Sequence, residues 1–174
     1  MKKIDAKRLT LCAMLIAMSV VVGIFCKSVL NFGGGLFRIT FENLPIILSG
    51  IIFGPVLGGA VGLGADVISY LLSGQAYPLN LIVTLGSCAV GVVSGIMAKY
   101  VVRERGTLQI IASAAAAHIV GSMIIKPIGL YAFYGIAVLW RIPLYLVIAP
   151  LEILVMCILM KRSAFVRLID GVEK

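Results

Sequence analysis

The sequence predicts an all-α integral membrane protein with six transmembrane helices in one compact bundle. Of its 174 residues, 61% are hydrophobic and only 13% are charged, and the mean hydropathy is +1.15. Soluble domains have about half apolar and about a quarter charged residues. Long apolar runs joined by short basic connections are typical of polytopic membrane proteins. We expect residues 1–174 to form a single membrane domain, because no linker or low-complexity tract separates its parts.

Hydropathy defines the individual helices. They are predicted at residues 8–27, 43–53, 55–73, 80–102, 108–128 and 143–161. The first apolar run follows the basic start MKKIDAKR, but it is too long for a signal h-region and is expected to remain as the first helix. The pair Gly54-Pro55 divides one apolar segment into the short second and third helices. Glycines at four-residue spacing in this segment (Gly50, Gly54, Gly58 and Gly62) predict close helix packing.

The basic residues predict the orientation. They cluster at the start of the chain, between the fourth and fifth helices, and at the end: Lys2, Lys3, Lys7, Arg8, Lys99, Arg103, Arg105, Lys161, Arg162, Arg167 and Lys174. Six crossings place all of them on one face, which the positive-inside rule makes cytoplasmic, together with both termini. Orientation thus explains the net charge of +8, and we predict no nucleic-acid partner.

A polar stripe marks the predicted start of the fourth helix. Asn80, Thr84, Ser87 and Gly91 follow helical spacing and share one face. An Asn amide offers donors and an acceptor to the edge of a heterocycle, and Tyr77 precedes it in the outer loop. Hydrogen bonding between helices is the alternative use of the same side chains.

The other candidate residues lie toward the end of the chain. Lys126 follows His118 and Ser122 at four-residue steps and is placed to meet an anionic group. The aromatic-rich stretch 127–140 is predicted to be an outer loop that folds over a ligand. Trp140 and Arg141 then pair a flat stacking surface with a guanidinium fork that suits a carboxylate.

The sequence argues against catalysis. No nucleophile–base set, phosphate-binding loop or ATPase motif is visible, and the lone His118 without a carboxylate at ligand spacing predicts no metal site. We expect no cofactor and no enzyme activity. A chain this short, without an energy module or a clear inverted repeat, is predicted to capture a substrate for partner subunits that supply energy.

Five segments carry a family resemblance. They are AMLIA at 13–17, RITFENLPIILSGIIFGPVLGGAVG at 38–62 with Asp66 following, AYPLN at 76–80, AHIVGSMIIKPIGLY at 117–131, and WRIPLY at 140–145. In this ordered set the chain resembles the substrate-binding S-components of energy-coupling factor (ECF) vitamin transporters, most closely the folate-specific family. The resemblance implies a multi-pass protein of a bacterial cell membrane with a pocket that opens outward. It also implies folate capture, followed by toppling on a membrane-embedded T-subunit driven by two cytoplasmic ATPase subunits.

The resemblance suggests roles for individual residues. Ala13 and Ala17 would dock on the T-subunit, although spacing alone also allows internal packing. For the ligand, the expected contacts are Asn80 and Thr84 with the pterin edge, Tyr77 and Trp140 with the rings, Lys126 and Arg141 with carboxylates, and Arg38 as a further candidate near the mouth.

Two other functions stay open. One is an S-component for another vitamin, such as pantothenate or riboflavin. The other, from a different class, is a small intramembrane enzyme or an assembly factor. Turnover by the isolated protein would distinguish the latter.

Overall fold

The computed structural model describes the backbone of residues 6–32, 37–72, 80–104 and 106–161, and side chains within these ranges except at positions 31, 32, 37 and 38. Within these ranges the fold has seven α-helices: α1 Ala6–Val29, α2 Asn43–Phe53, α3 Pro55–Leu72, α4 Leu81–Ile96, α5 Thr107–Ala117, α6 Lys126–Tyr134 and α7 Arg141–Lys161. Two short antiparallel strands, β1 Asn31–Phe32 and β2 Phe37–Arg38, connect α1 to α2.

In the described part of the chain, three stretches of other helical geometry extend these α-helices. A π-helical turn, Met97–Val101, continues α4. A longer π-helix, His118–Ile125, joins α5 to α6, and a 3-10 helix, Gly135–Trp140, joins α6 to α7. The chain is therefore helical through the whole of Thr107–Lys161. The predicted outer loop at 127–140 is wrong, because α6 and the 3-10 helix occupy it.

Four helical segments of the described chain are long and apolar enough to cross a membrane: Ala6–Val29, Pro55–Leu72, Leu81–Val101 and Thr107–Lys161. The fourth has 55 residues, well beyond the ~20 residues that one crossing needs. With 11 residues, α2 is only about 16 Å long, roughly half the hydrocarbon thickness. An all-helical membrane fold is confirmed apart from the short β1–β2 pair, whereas six crossings and cytoplasmic termini stay predictions.

The junction between α2 and α3 follows from its sequence. Gly54 adopts φ +90°, a conformation that side chains with a Cβ rarely take, and its N–H donates to the Gly50 carbonyl at 2.9 Å. Pro55 then opens α3, where its missing N–H costs nothing. The two helices turn back on each other at this point.

Glycines bring α2, α3 and α4 into backbone contact, as their spacing predicts. A Cβ added to Gly58 would lie 2.6 Å from the Gly50 Cα and 2.6 Å from the Gly91 carbonyl oxygen. Only glycine permits such a close approach of two backbones. The van der Waals contacts that result hold the helices together, because lipid provides no hydrophobic driving force for their association. The apolar core beside this crossing includes Ile47, Val90 and Met156, all fully buried.

Candidate functional site

A buried lysine is the centre of the first polar cluster, the α2–α6 polar junction, which comprises Glu42, Asn43, Ser122 and Lys126. Lys126 is 5% exposed. Its Nζ donates to Asn43 Oδ1 at 2.9 Å and lies 3.8 Å from Glu42 Oε1. Asn43, which is fully buried, donates through Nδ2 to Ser122 Oγ at 3.3 Å. The ammonium therefore has a carboxylate and an amide oxygen as internal partners, as a buried charge in a membrane protein requires.

Glu42 also connects this junction to α1 and α3. Its backbone carbonyl accepts a hydrogen bond from Ser19 Oγ at 2.7 Å. A Cβ placed on Gly23 would lie 2.9 Å from Glu42 Oε2 and 3.6 Å from Ser69 Oγ, and Ser69 accepts from Lys27 Nζ at 2.7 Å. Polar groups of α1, α2, α3 and α6 thus meet where α2 begins.

The second cluster fixes α4 on α3. Thr84 Oγ1 donates to Asp66 Oδ2 at 2.7 Å, and Ser87 Oγ donates to Asp66 Oδ1 at 3.4 Å. Thr84 and Ser87 are both buried. The predicted stripe does share one face, and for these two residues the structure shows the interhelical hydrogen bonds that were its alternative interpretation. Contact of Thr84 with a ligand stays a prediction.

Asn80 caps α4 and holds α6. Its Oδ1 accepts from the backbone N–H groups of Ile82, at 3.0 Å, and Val83, at 3.4 Å. Its Nδ2 donates to the Gly129 carbonyl in α6. Side-chain acceptance of the first free N–H groups is the usual stabilisation of a helix start. The amide that we expected to read a heterocycle edge thus also has a structural role.

Aromatic and cationic side chains meet where α6 is followed by α7. The Arg141 guanidinium carbon lies 5.4 Å from the Tyr134 ring centroid, a cation–π arrangement. Trp140 is 65% exposed, so its indole face is accessible. Arg38 contributes its backbone to β2, opposite Asn31, and its side chain lies outside the described part, as does Tyr77.

A third buried pair links α5 and its π-helical extension to α7. His118 Nε2 lies 2.7 Å from Glu152 Oε2, and the two side chains are 1% and 0% exposed. The two groups are as close as an ion pair, although they lack the angle of a regular hydrogen bond. The sequence shows that His118 and Glu152 each need a polar partner, but it does not show that the two side chains, 34 positions apart, contact each other. Their only signal was their placement in apolar runs.

The described residues contain no group of three or more His, Cys, Asp or Glu side chains that could hold a metal ion. On α1, Ala13 and Ala17 are both exposed, together with Met14 and Val21 on the same side of the helix. The alanine pair is therefore not part of the chain's own core.

Comparisons with known proteins place this architecture. A model of the family described as ECF transporter, substrate-specific component, matches residues 7–169. The crystal structure of FolT bound with folic acid has a similar fold, with a TM-score of 0.69 and 23% sequence identity over 88% of this chain and 91% of that chain. No curated protein matches the sequence. Because the family match spans almost the entire chain, the protein belongs to the substrate-specific components of ECF transporters.

Proposed function

We propose that this chain is the folate-binding S-component of an ECF importer in a bacterial cell membrane. It captures folate outside the cell and releases it inside after docking on a T-subunit with two ATPase subunits, so it is a transport subunit and not an enzyme. One observation carries the proposal. This chain, which belongs to the family, is similar in fold to FolT, whose crystal structure contains folic acid. Six crossings with cytoplasmic termini complete the proposed topology.

The chemistry of folate fits the α6–α7 junction, by which we mean Tyr134, Trp140 and Arg141. Folate combines a flat pterin ring, a benzoyl spacer and a glutamate with two carboxylates. Trp140 offers an accessible face for stacking, and the neighbouring Arg141 offers a planar donor fork for a carboxylate. We propose these two residues as the main contacts, with Tyr77 as a second stacking residue and Arg38 as a further cation.

The remaining candidates are partly engaged within the protein. Asn80 and Thr84 keep their proposed place at the pterin edge, but each already holds another helix through its side chain. To contact the ligand directly, Asn80 and Thr84 would have to share or give up these interhelical hydrogen bonds. The Lys126 ammonium is buried and already has two internal partners, whereas Arg141 follows the exposed Trp140 directly, and so we propose Arg141 first for the carboxylates.

A fluorescence titration tests the proposal directly. Trp140 is the only tryptophan in the chain, so its emission reports on this place alone. Folate added to the purified protein in detergent should quench this emission saturably, and calorimetry on the Trp140→Phe variant controls for loss of the signal. Binding of riboflavin or pantothenate in place of folate would identify another vitamin as the substrate. Chemical turnover of a bound compound would instead indicate an enzyme.

A variant of Arg141 tests the carboxylate contact. Arg141→Gln should weaken folate binding by about ten- to a hundredfold, because a charge-assisted hydrogen bond contributes about 1.5–3 kcal/mol. The affinity for pteroate, which lacks the glutamate, should fall much less. Equal losses for both ligands would show that Arg141 does not bind the glutamate.

Docking has its own test. Ala13→Trp and Ala17→Trp should abolish uptake by the assembled transporter while the isolated protein still binds folate, because bulk on this exposed face prevents close helix contact. Leu154→Trp, on an exposed position of α7, is the matched control and should transport normally. Loss of folate binding by the alanine variants would contradict a role confined to docking.

A further inference from the structure

The Lys126 side chain is enclosed along its whole length. A Cβ on Gly86 of α4 would lie 2.7 Å from Lys126 Cγ, so the aliphatic part of the lysine fills the space that this glycine leaves. The ammonium beyond it reaches Asn43 and Glu42 at the start of α2. A lysine held between two helices in this way has little room to extend toward a ligand.

The first turn of α6 is fixed at a second point. The Gly129 carbonyl accepts from Asn80 Nδ2, and a Cβ on Gly129 would lie 3.0 Å from the Ile82 Cβ. Lys126 thus ties the start of α6 to α2, and Gly129, three residues later, ties it to α4. Both contacts involve buried or half-buried polar groups, which must keep partners inside a membrane protein.

The far end of α6 bears the proposed ligand contacts. The helix has nine residues, about 13 Å, and ends at Tyr134, whose ring lies against the Arg141 guanidinium. A tilt at the start of such a helix is largest at its end. The position of Arg141 therefore depends on how the first turn is anchored.

We infer that Lys126 is a positioning residue, which together with Glu42 and Asn43 anchors α6 so that Tyr134 and Arg141 are placed for the ligand, and that it does not contact the ligand itself. The inference rests on the proposed function and revises the sequence-based expectation that Lys126 meets a carboxylate. Glu42 is part of the same device, because it supplies the charge that lets Lys126 stay buried.

The two roles predict opposite results for Glu42→Gln. If Lys126 bound the glutamate of folate, removing its competing carboxylate would tighten folate binding. If Lys126 positions α6, the buried ammonium loses the carboxylate that lies 3.8 Å away, and binding of folate and of pteroate should both weaken by about tenfold or more. Lys126→Gln should likewise weaken both ligands by the same factor.

Rescue completes the experiment. The double variant Glu42→Gln/Lys126→Gln leaves two uncharged polar side chains and should restore both affinities to within about threefold of the original protein, since no unpaired charge stays buried. Lys161→Gln, at an exposed lysine at the end of α7, is the control and should change nothing. Calorimetry with folate and pteroate measures all five proteins.

Thermal unfolding of the same proteins separates the possible failures. Absence of folate binding by the unsubstituted protein refutes the proposed function. The unfolding midpoints still test whether Lys126 and Glu42 anchor α6: both single variants should unfold at a lower temperature, and the double variant should regain the original midpoint. The inference is overturned if Lys126→Gln weakens folate but not pteroate, if Glu42→Gln tightens folate, if neither single variant has an effect, or if the double variant is no better than the singles. Should a single variant fail to fold, recovery in the double variant decides alone.

Discussion

Removal of Glu152 should be among the most damaging single substitutions in this protein. Glu152 and His118 are 0% and 1% exposed, and their side chains approach to 2.7 Å. Glu152→Ala therefore leaves an imidazole buried beside a newly created cavity, and His118→Ala leaves a buried carboxyl group.

The size of the loss follows from the burial of both partners. Deleting one member of a buried pair costs about 1–3 kcal/mol where the remaining group is polar and about 3–5 kcal/mol where it is charged, whereas replacing both members by well-packed apolar residues is often neutral or stabilising. At about 2–4 °C per kcal/mol for a chain of this size, Glu152→Ala should lower the unfolding midpoint by about 2–20 °C. The double variant His118→Leu/Glu152→Met should recover most of this loss.

Reversible denaturant unfolding in detergent micelles, followed by circular dichroism, gives the free energies. Leu154→Ala, on an exposed position of the same helix, is the control and should change the free energy of unfolding by no more than about 0.5 kcal/mol. A loss below about 1 kcal/mol for Glu152→Ala would refute the reasoning. So would a double variant that is as unstable as the two single variants, because the cost would then not come from an unpaired polar group.

Three further predictions concern the packing and hydrogen bonds of α3 and α4. Gly58→Ala should lower the free energy of unfolding by about 1–3 kcal/mol, because the added Cβ meets backbone atoms of both Gly50 and Gly91. Gly64→Ala in the same helix is the control. Its Cβ meets only the flexible end of Ile16, and the variant should be neutral in thermal unfolding. Thr84→Val should cost about 1–3 kcal/mol in the same assay, because Asp66 loses its 2.7 Å donor; Thr84→Ser, which retains the hydroxyl, should cost less. Asn80→Ala should cost about 1 kcal/mol as a lost cap and should increase hydrogen exchange in the first turn of α4; unchanged exchange there would contradict the capping role.

The helices were predictable because their signals are local. Long apolar runs, the Gly54-Pro55 break and four-residue glycine spacing depend on neighbouring residues, and the bounds of α2 agree with the prediction at both ends. The prediction of a loop at 127–140 is wrong because a stretch rich in aromatic residues can equally well be helical. Pro127 in fact lies in the first turn of α6, a position that tolerates proline.

The clusters were less predictable because their partners are distant in sequence. Helical spacing correctly put Thr84 and Ser87 on one face, but it could not tell whether that face met Asp66 or a ligand. Lys126 and Asn43 are 83 positions apart, and no periodicity links them. Only the assembled bundle shows which polar groups satisfy one another.

The cost of buried charge decides how the candidate residues divide between scaffold and site. A polar group at membrane depth needs a partner whether or not the ligand is present, and Asn80, Thr84 and Lys126 find theirs on neighbouring helices. If they gave up these partners to bind folate, each new contact would be offset by a broken one, and net affinity would be small. In the proposed function, the exposed Trp140 indole is a contact that needs no such exchange, and the buried polar groups hold together the helices around it.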